Sequence, residues 1–97
     1  MPTFVGLINW TEQGVRNFKD TVDRYKGAVP QFEQMGVRIT DIWWTLGQHD
    51  IVVVLDADDE ESVAAATLAL GSQGNVRTTT MRAFSEDEMQ ALIEKAP

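Results

Sequence analysis

Hydrophobic positions between residues 37 and 56 predict two β-strands joined by a tight turn. The first strand contains the adjacent tryptophans Trp43 and Trp44, and the second, residues 51–55, is apolar at every position. An unbroken apolar run of this length is typical of a strand that is covered on both faces. The turn between the strands contains His49, the only histidine of the chain. The hairpin is therefore predicted to lie in the middle of the fold.

The remaining pattern predicts two further strands and three helical segments. Residues 3–10 are apolar on both faces of a strand, and residues 75–84 are β-branched and mixed in polarity, as in an edge strand. Apolar residues recur every three or four positions from 15 to 32, which predicts a helix with a kink near residues 26–27, caused by Pro30, and allows a break at 20–21. A second helix has the acidic cluster Asp58–Glu61 in its first turn and continues to Leu70, and Ser85 with Glu88 forms a capping box for a tail helix.

This order of elements predicts one α+β domain over residues 1–97, with the ferredoxin-like βαββαβ topology, a four-stranded antiparallel sheet and a C-terminal helix. In that topology the first and third strands are central, and these are the two most uniformly apolar strands. Two helices can cover only one face of the sheet. The other face would be a larger apolar patch than soluble monomers usually expose. We therefore expect a homodimer or higher homo-oligomer formed through the sheet face, with ~800 Å² buried per partner.

Composition narrows the classes of partner. The 97 residues carry a formal net charge of −7, which disfavours binding to nucleic acid or to an anionic membrane surface. There is no cysteine, so a disulfide or a thiolate metal site is excluded. The start has no basic region ahead of a long apolar run, and no stretch approaches the ~20 apolar residues of a membrane span. We expect a cytoplasmic protein.

A set of short motifs spread over nearly the whole chain is shared with one protein family. The motifs are Asn9-Trp10-Thr11-Glu12-Gln13-Gly14, Lys19-Asp20, Trp44-Thr45-Leu46-Gly47, Asp50-Ile51-Val52, Leu70-Gly71-Ser72, Gly74-Asn75-Val76-Arg77-Thr78 and Arg82-Ala83-Phe84. Together they resemble the GYD-domain family of the dimeric α+β barrel superfamily. The resemblance implies a ferredoxin-like fold and sheet-to-sheet association. It implies no particular activity, because the wider superfamily includes cofactor-free monooxygenases, haem enzymes and small-molecule binders.

One departure from the family pattern concerns a candidate catalytic residue. The family is named for a Gly-Tyr-Asp run, whereas this turn reads Gly47-Gln48-His49-Asp50, so that His49 stands at the tyrosine position. Histidine changes charge near neutral pH, and Asp50 could orient it for acid–base catalysis. Neighbours within a strand point to opposite faces, so the alternative is a structural turn. A metal site or haem ligation at His49 would need ligands from elsewhere, and we expect neither a metal nor a cofactor.

The remaining candidates are predicted to bind a small ligand. The expected pocket lies between the sheet and the kinked first helical segment near residues 19–26, and its ligand is expected to be apolar with one polar or anionic end. The predicted ligand-binding residues are Asn9, Trp10, Arg16, Lys19, Trp43, Trp44 and Arg82. The alternative function is a cofactor-independent enzyme, monooxygenase-like or isomerase-like, that uses His49 and Asp50.

Overall fold

The computed structural model describes all 97 residues and contains one four-stranded antiparallel sheet. The strands are β1 (Thr3–Trp10), β2 (Val37–Trp44), β3 (Ile51–Ala57) and β4 (Val76–Ala83). Their order in the sheet is β2-β3-β1-β4, so β1 and β3 are central and β2 and β4 form the edges. The arrangement confirms the predicted ferredoxin-like α+β fold, in which the most apolar strands take the most buried positions.

Four α-helices connect and follow these strands. They are α1 (Glu12–Arg16), α2 (Thr21–Gln34), α3 (Glu60–Ser72) and α4 (Glu86–Lys95), with a single 3₁₀ turn, Phe18–Asp20, between α1 and α2. Helix α2 continues as one α-helix through residues 26–27, where the sequence predicts a kink, and through Pro30. The break that the sequence allows at residues 20–21 is present immediately before helix α2, at residues 17–20. It is stabilised by Arg24, whose guanidinium donates to the backbone oxygens of Asn17 at 2.8 Å and Gly14 at 3.3 Å. The Asn17 oxygen also accepts from the Asp20 amide at 3.0 Å.

The hydrophobic core lies between the sheet and the helices. It contains the side chains of β1 and β3 that point toward the helices, together with residues of α2, α3 and the ends of β2 and β4. These residues are Phe4, Ile8, Phe32, Val37, Ile51, Val53, Leu55, Ala57, Val63, Ala66 and Val76. Each is at most 7% exposed, and together they form one cluster.

A β-bulge in β2 decides which way the two adjacent tryptophans point. The pairing of β2 with β3 shifts register between Ile39 and Asp41, and Ile39 and Ile42 therefore face the same side of the sheet although they are three residues apart. Beyond the bulge, Trp44 pairs with Ile51 on the helix side. Trp43 pairs with Val52 and points to the opposite side.

The sheet surface opposite the helices is called the open face below. Its apolar residues are Val5, Leu7, Trp43, Val52, Val54 and Met81, which the strand register places in adjoining rows. Trp43 is 55% exposed and Met81 is 45% exposed. The four residues from β1 and β3 are only partly buried. The central strands therefore have apolar side chains on both faces of the sheet. The helices cover one face, and the open face is uncovered in the single chain.

Helix α4 is fixed to the sheet at its first turn. Ser85 and Glu88 form the predicted capping box, in which the Ser85 hydroxyl accepts from the Glu88 amide and the Glu88 carboxylate accepts from the Ser85 amide. Arg82 donates to Glu88 at 3.0 Å and to the carbonyl of Thr3 at 3.2 Å, and it stacks 4.5 Å from the ring centre of Phe84. No residue of α4 is buried, so its apolar stripe of Met89, Leu92 and Ile93 is exposed.

Candidate functional site

An apolar cavity of about 80 Å³ lies between the helix side of the sheet and α2. Eleven of its fifteen lining residues are hydrophobic. On α2 the lining side chains share one helical stripe, with spacings of three or four residues, and the opposite wall comes from all four strands and the end of α3. The lining residues are Ile8, Thr21, Arg24, Tyr25, Ala28, Phe32, Ile39, Ile42, Ile51, Val53, Leu55, Leu70, Gln73, Asn75 and Val76.

Four polar residues complete the lining of the cavity. They are Thr21 and Arg24 from α2, and Gln73 and Asn75 from the loop between α3 and β4. The amide of Gln13 donates to the Gln73 carbonyl oxygen at 3.2 Å and to the side-chain oxygen of Asn75 at 3.0 Å. Helix α1 therefore holds this loop in place beside α2.

Trp44 forms an aromatic wall next to the cavity. Its indole Nε1 donates to the hydroxyl of Thr21 at 3.0 Å. Its ring meets the Tyr25 ring edge-on, with centroids 6.0 Å apart and planes at 90°. Edge-to-face pairs of this kind are favourable beyond the area that they bury. The pairing fixes the position of two residues, Thr21 and Tyr25, that line the cavity.

A second polar cluster lies at the start of β3 and the end of β1. The Asp50 carboxylate accepts from the backbone amide of Trp10 at 2.8 Å, and the Asp50 amide donates to the Ile8 carbonyl at 2.9 Å. Asn9 and Nδ1 of His49 are 3.1 Å apart. When the Asn9 amide is oriented to satisfy its neighbours, its side-chain nitrogen donates to His49 Nδ1 and to the carbonyls of Ile8 and Gln48. This orientation places the imidazole proton on Nε2.

The structure gives His49 and Asp50 different hydrogen-bond partners. The Asp50 carboxylate anchors the backbone of β1, and the imidazole contacts Asn9. The hairpin turn itself is closed by the Thr45 hydroxyl, which donates to the His49 carbonyl at 2.5 Å. The catalytic assignment of His49 and Asp50 stays a prediction, and the contacts found here position the two ends of the hairpin relative to β1.

The predicted ligand-binding residues are dispersed over the molecule, and none of them lines the cavity. Trp44 adjoins the cavity, Asn9 and Trp10 belong to the hairpin cluster, and Trp43 lies on the open face. Arg16 is exposed and pairs with Glu12 at 2.8 Å, and Lys19 is exposed in the 3₁₀ turn. Arg82 anchors α4. Their role in binding stays a prediction.

The cavity is lined by Thr21, Arg24 and Tyr25 from the range 19–26, where the sequence predicts a gap, but none of the predicted ligand-binding residues lines it. Arg24, Tyr25, Gln73 and Asn75 were not selected. Thr21, Tyr25, Ala28 and Phe32 follow one another at helical spacing, which marks the sheet-facing stripe of α2. That spacing could have found the α2 wall. No local signal marks Gln73 and Asn75, because a contact with Gln13, some sixty positions away, brings them there.

The acidic residues and the single histidine form no metal centre. No three or more histidine, aspartate or glutamate side chains are grouped so that they could hold a metal ion. None of the helices has the length and apolar character needed to cross a membrane.

The fold and the cavity define a small α+β domain of the ferredoxin-like class with an apolar cavity beneath its longest helix. The chain belongs to the GYD domain family, whose sequence profile matches residues 4–93. A Thermus thermophilus protein named "Glutamine synthetase and cystathionine beta-lyase binding protein" is 34% identical over 95 residues, which are 97% of this chain and 100% of that protein.

Two solved structures share the fold. A crystal structure of a Thermus thermophilus protein superposes with a TM-score of 0.55 at 20% identity, covering 88% of this chain and 95% of that one. An ACT domain protein from Streptococcus pneumoniae superposes with a TM-score of 0.50 at 17% identity, covering 86% and 90% of the two chains. At these identities the likeness concerns the fold alone.

Proposed function

We propose that this protein is a homo-oligomeric binding module that holds a small molecule in the cavity between the sheet and α2. The observation that carries the proposal is the cavity itself, an apolar space bordered by a few polar groups. Small-molecule sites in proteins commonly combine these two features.

The size of the cavity limits the ligand. A space of about 80 Å³ is several times the ~10–15 Å³ that one water molecule requires. It suits a molecule, or the apolar part of a molecule, with a few heavy atoms. Side chains that pack at ordinary density would leave no such space in the core, so its presence beneath α2 supports binding rather than a purely structural domain.

The open face supports self-association. Val5, Leu7, Val52 and Val54 form an apolar centre, with Trp43 at one side and Met81 at the other. Contact between the open faces of two copies would cover all six residues at once. Large aromatic residues and methionine are enriched in protein interfaces. A homodimer formed through this face therefore accompanies the proposed binding function.

A second candidate function is docking to another protein. The relative that is 34% identical to this chain is named for binding two enzymes, glutamine synthetase and cystathionine beta-lyase. This name supports a protein partner for the present chain as well. The exposed stripe of α4, formed by Met89, Leu92 and Ile93, is a surface on which such a partner could bind.

The cavity proposal is tested by titrating the protein with 3-methylbutan-1-ol, a small branched alcohol, and following side-chain methyl signals by NMR. The signals of Ala28 and Leu70, which line the cavity, should shift in a saturable way. Ala28→Phe should fill the space and abolish the shifts. Ala64→Phe, on the exposed side of α3, is the matched control and should preserve them. Shifts that persist unchanged in Ala28→Phe would refute a site in this cavity.

A further inference from the structure

We infer that the ligand of the cavity has an apolar body of a few carbon atoms and a carboxylate, and that Arg24 binds this carboxylate at the rim of the cavity. The inference rests on the proposed binding function and adds the chemical class of the ligand. Arg24 is the only charged residue among those that line the cavity, and no acidic residue lines it. A positive charge beside an apolar space favours a ligand with a negative end and an apolar remainder.

Arg24 has no acidic partner within the protein. The chain has fifteen acidic residues and eight basic ones, yet its only ion pairs are Arg16 with Glu12 and Arg82 with Glu88. Arg24 instead donates to two neutral acceptors, the carbonyls of Asn17 and Gly14. A guanidinium has five N–H donors, so Arg24 retains donors for a ligand after these two bonds. The two bonds also fix the direction of the side chain.

The other polar groups of the lining also have donors to offer. The Thr21 hydroxyl accepts from the Trp44 indole, which leaves its own hydrogen available. The Asn75 side-chain oxygen accepts from Gln13, so its NH₂ group is the part that is free. Arg24, Thr21 and Asn75 thus present donors, whereas a carboxylate offers acceptors only. Charge-assisted hydrogen bonds to such an acceptor are stronger than those to a neutral one.

The arrangement also explains why Lys19, one of the cations predicted to bind the ligand, is a weaker candidate than Arg24. Lys19 is exposed in the 3₁₀ turn and does not line the cavity. Arg24 lies further along the chain, on the stripe of α2 that meets the sheet, and is half-buried. A planar guanidinium can also bind both carboxylate oxygens at once, which an ammonium group cannot do with the same geometry.

The test uses two probes of the same size that differ in charge, 3-methylbutanoate and 3-methylbutanamide. Both are titrated into the wild-type protein and followed by NMR through the methyl signals of the cavity and the Nε–H signal of Arg24. The carboxylate should bind ~10-fold more tightly than the amide, as expected for charge-assisted hydrogen bonds. The Arg24 Nε–H signal should shift with the carboxylate and much less with the amide.

Variants then separate a local effect of Arg24 from a general effect of charge. Arg24→Gln should bring the two affinities together, and Arg24→Lys should keep part of the preference. Lys26→Gln removes one exposed positive charge from the same helix, outside the cavity lining, and should leave the preference unchanged. Thermal melting of each variant shows whether it is folded, and the wild-type comparison of the two probes stands even if Arg24→Gln does not fold.

The outcomes distinguish this inference from the function on which it rests. If neither the two probes nor the alcohol binds, the cavity function itself fails. If the alcohol and the amide bind the wild-type protein with the same affinity as the carboxylate, the cavity function stands and the carboxylate inference is overturned. A preference that is lost equally in Lys26→Gln would also overturn it, because the effect would then come from overall charge.

Discussion

Gly14 packs directly against the backbone of Asn75, and a Cβ atom at this glycine would overlap the Asn75 carbonyl oxygen. The same carbonyl accepts from the amide of Thr11 at 3.0 Å, and the Thr11 hydroxyl donates to the neighbouring Gly74 carbonyl at 2.5 Å. Helix α1 is thus held against the loop before β4. This contact places Asn75 beside the cavity and gives a structural reason for the residues at positions 9–14 and 74–78 that carry the family resemblance.

Gly14→Ala should destabilise the protein strongly. The added methyl group would meet backbone atoms of Asn75, which cannot move aside without breaking the hydrogen bond to Thr11. We expect the free energy of unfolding to fall by more than about 2 kcal/mol, at the upper end of single-residue effects. The measurement is equilibrium unfolding in urea.

Gly27→Ala is the matched control for this prediction. Gly27 lies inside α2, where a Cβ atom would meet nothing within 4 Å. Alanine is favoured over glycine in a helix interior, so this variant should be more stable by about 0.5–1 kcal/mol. Equal effects of the two substitutions would contradict the close contact at Gly14.

The fold was predictable because its signals are local. Residues 3–10 and 51–55 have apolar side chains on both faces of a strand, which identified them as the central strands. Ser85 with Glu88 marked the start of α4. The orientation of Trp43 and Trp44 was not predictable. If the side chains alternated regularly from Val37, Trp43 would point toward the helices. The bulge beyond Ile39 shifts the alternation by one residue, so Trp43 points to the open face. A bulge depends on strand pairing, which the sequence of one strand does not reveal.

The candidate site was less predictable than the fold because its parts are distant in sequence. Arg24 is directed by its hydrogen bonds to the Asn17 and Gly14 carbonyls at the break between α1 and α2. The sequence indicated a break at residues 20–21 but gave no sign of these two bonds. Asn75 reaches the cavity through its contacts with Gln13 and Gly14. Neither arrangement produces a periodic pattern, so helix and strand periodicity alone could not show them.

Trp43→Lys should weaken self-association without unfolding the chain. Trp43 lies at the edge of the open face and is more than half exposed in the single chain, so the fold can accept a lysine there. An ammonium group covered by a dimer interface would be desolvated without a partner. Sedimentation velocity at micromolar concentration should show a shift from dimer toward monomer.

Leu46→Lys provides the control for the change of an apolar residue to lysine. Leu46 is fully exposed in the hairpin turn and lies outside the open face. This variant should sediment like the wild-type protein. A wild-type protein that sediments as a folded monomer would refute the proposed sheet-face dimer directly.

His49→Gln should change stability by less than about 1 kcal/mol, the range of most substitutions away from a core. The hydrogen bonds that close the turn, from Thr45 to the backbone oxygens of His49 and Asp50, do not involve the imidazole. Glutamine can also keep a hydrogen bond to Asn9. A much larger loss in thermal unfolding would show that the imidazole is required for folding.

The first turn of α4 should loosen in acid. Hydrogen bonds from the Ser85 amide and then from Arg82 hold the pKa of the Glu88 carboxyl below its ordinary value. Because the pKa is lower in the folded state, the stabilisation is complete at a pH above the ordinary pKa of the carboxyl. It is lost as the pH falls through the lowered pKa of the folded state. Backbone NMR shifts of residues 85–89 should follow this transition during an acid titration.

Two variants identify the group responsible for this transition. Glu88→Gln cannot ionise, so the transition in the first turn of α4 should be absent. Glu94→Gln, near the other end of the helix, should retain it. Loss of the transition in both variants would mean that acid acts on the helix as a whole rather than on the capping box.

The bulge in β2 makes the two borders of the sheet unequal. An irregular border is a poor template for a further strand, and proteins use bulges to stop edge-to-edge pairing. The border formed by β4 pairs with β1 along all eight residues without a register shift, and its outer backbone groups have no strand partner. Growth of the sheet from one chain to the next, whether in ordered assembly or in aggregation, should therefore begin at β4. The N–H of Thr80 points away from β1, whereas that of Thr79 faces Leu7 of β1, so a proline in place of Thr80 would be the change that blocks this growth without breaking the sheet.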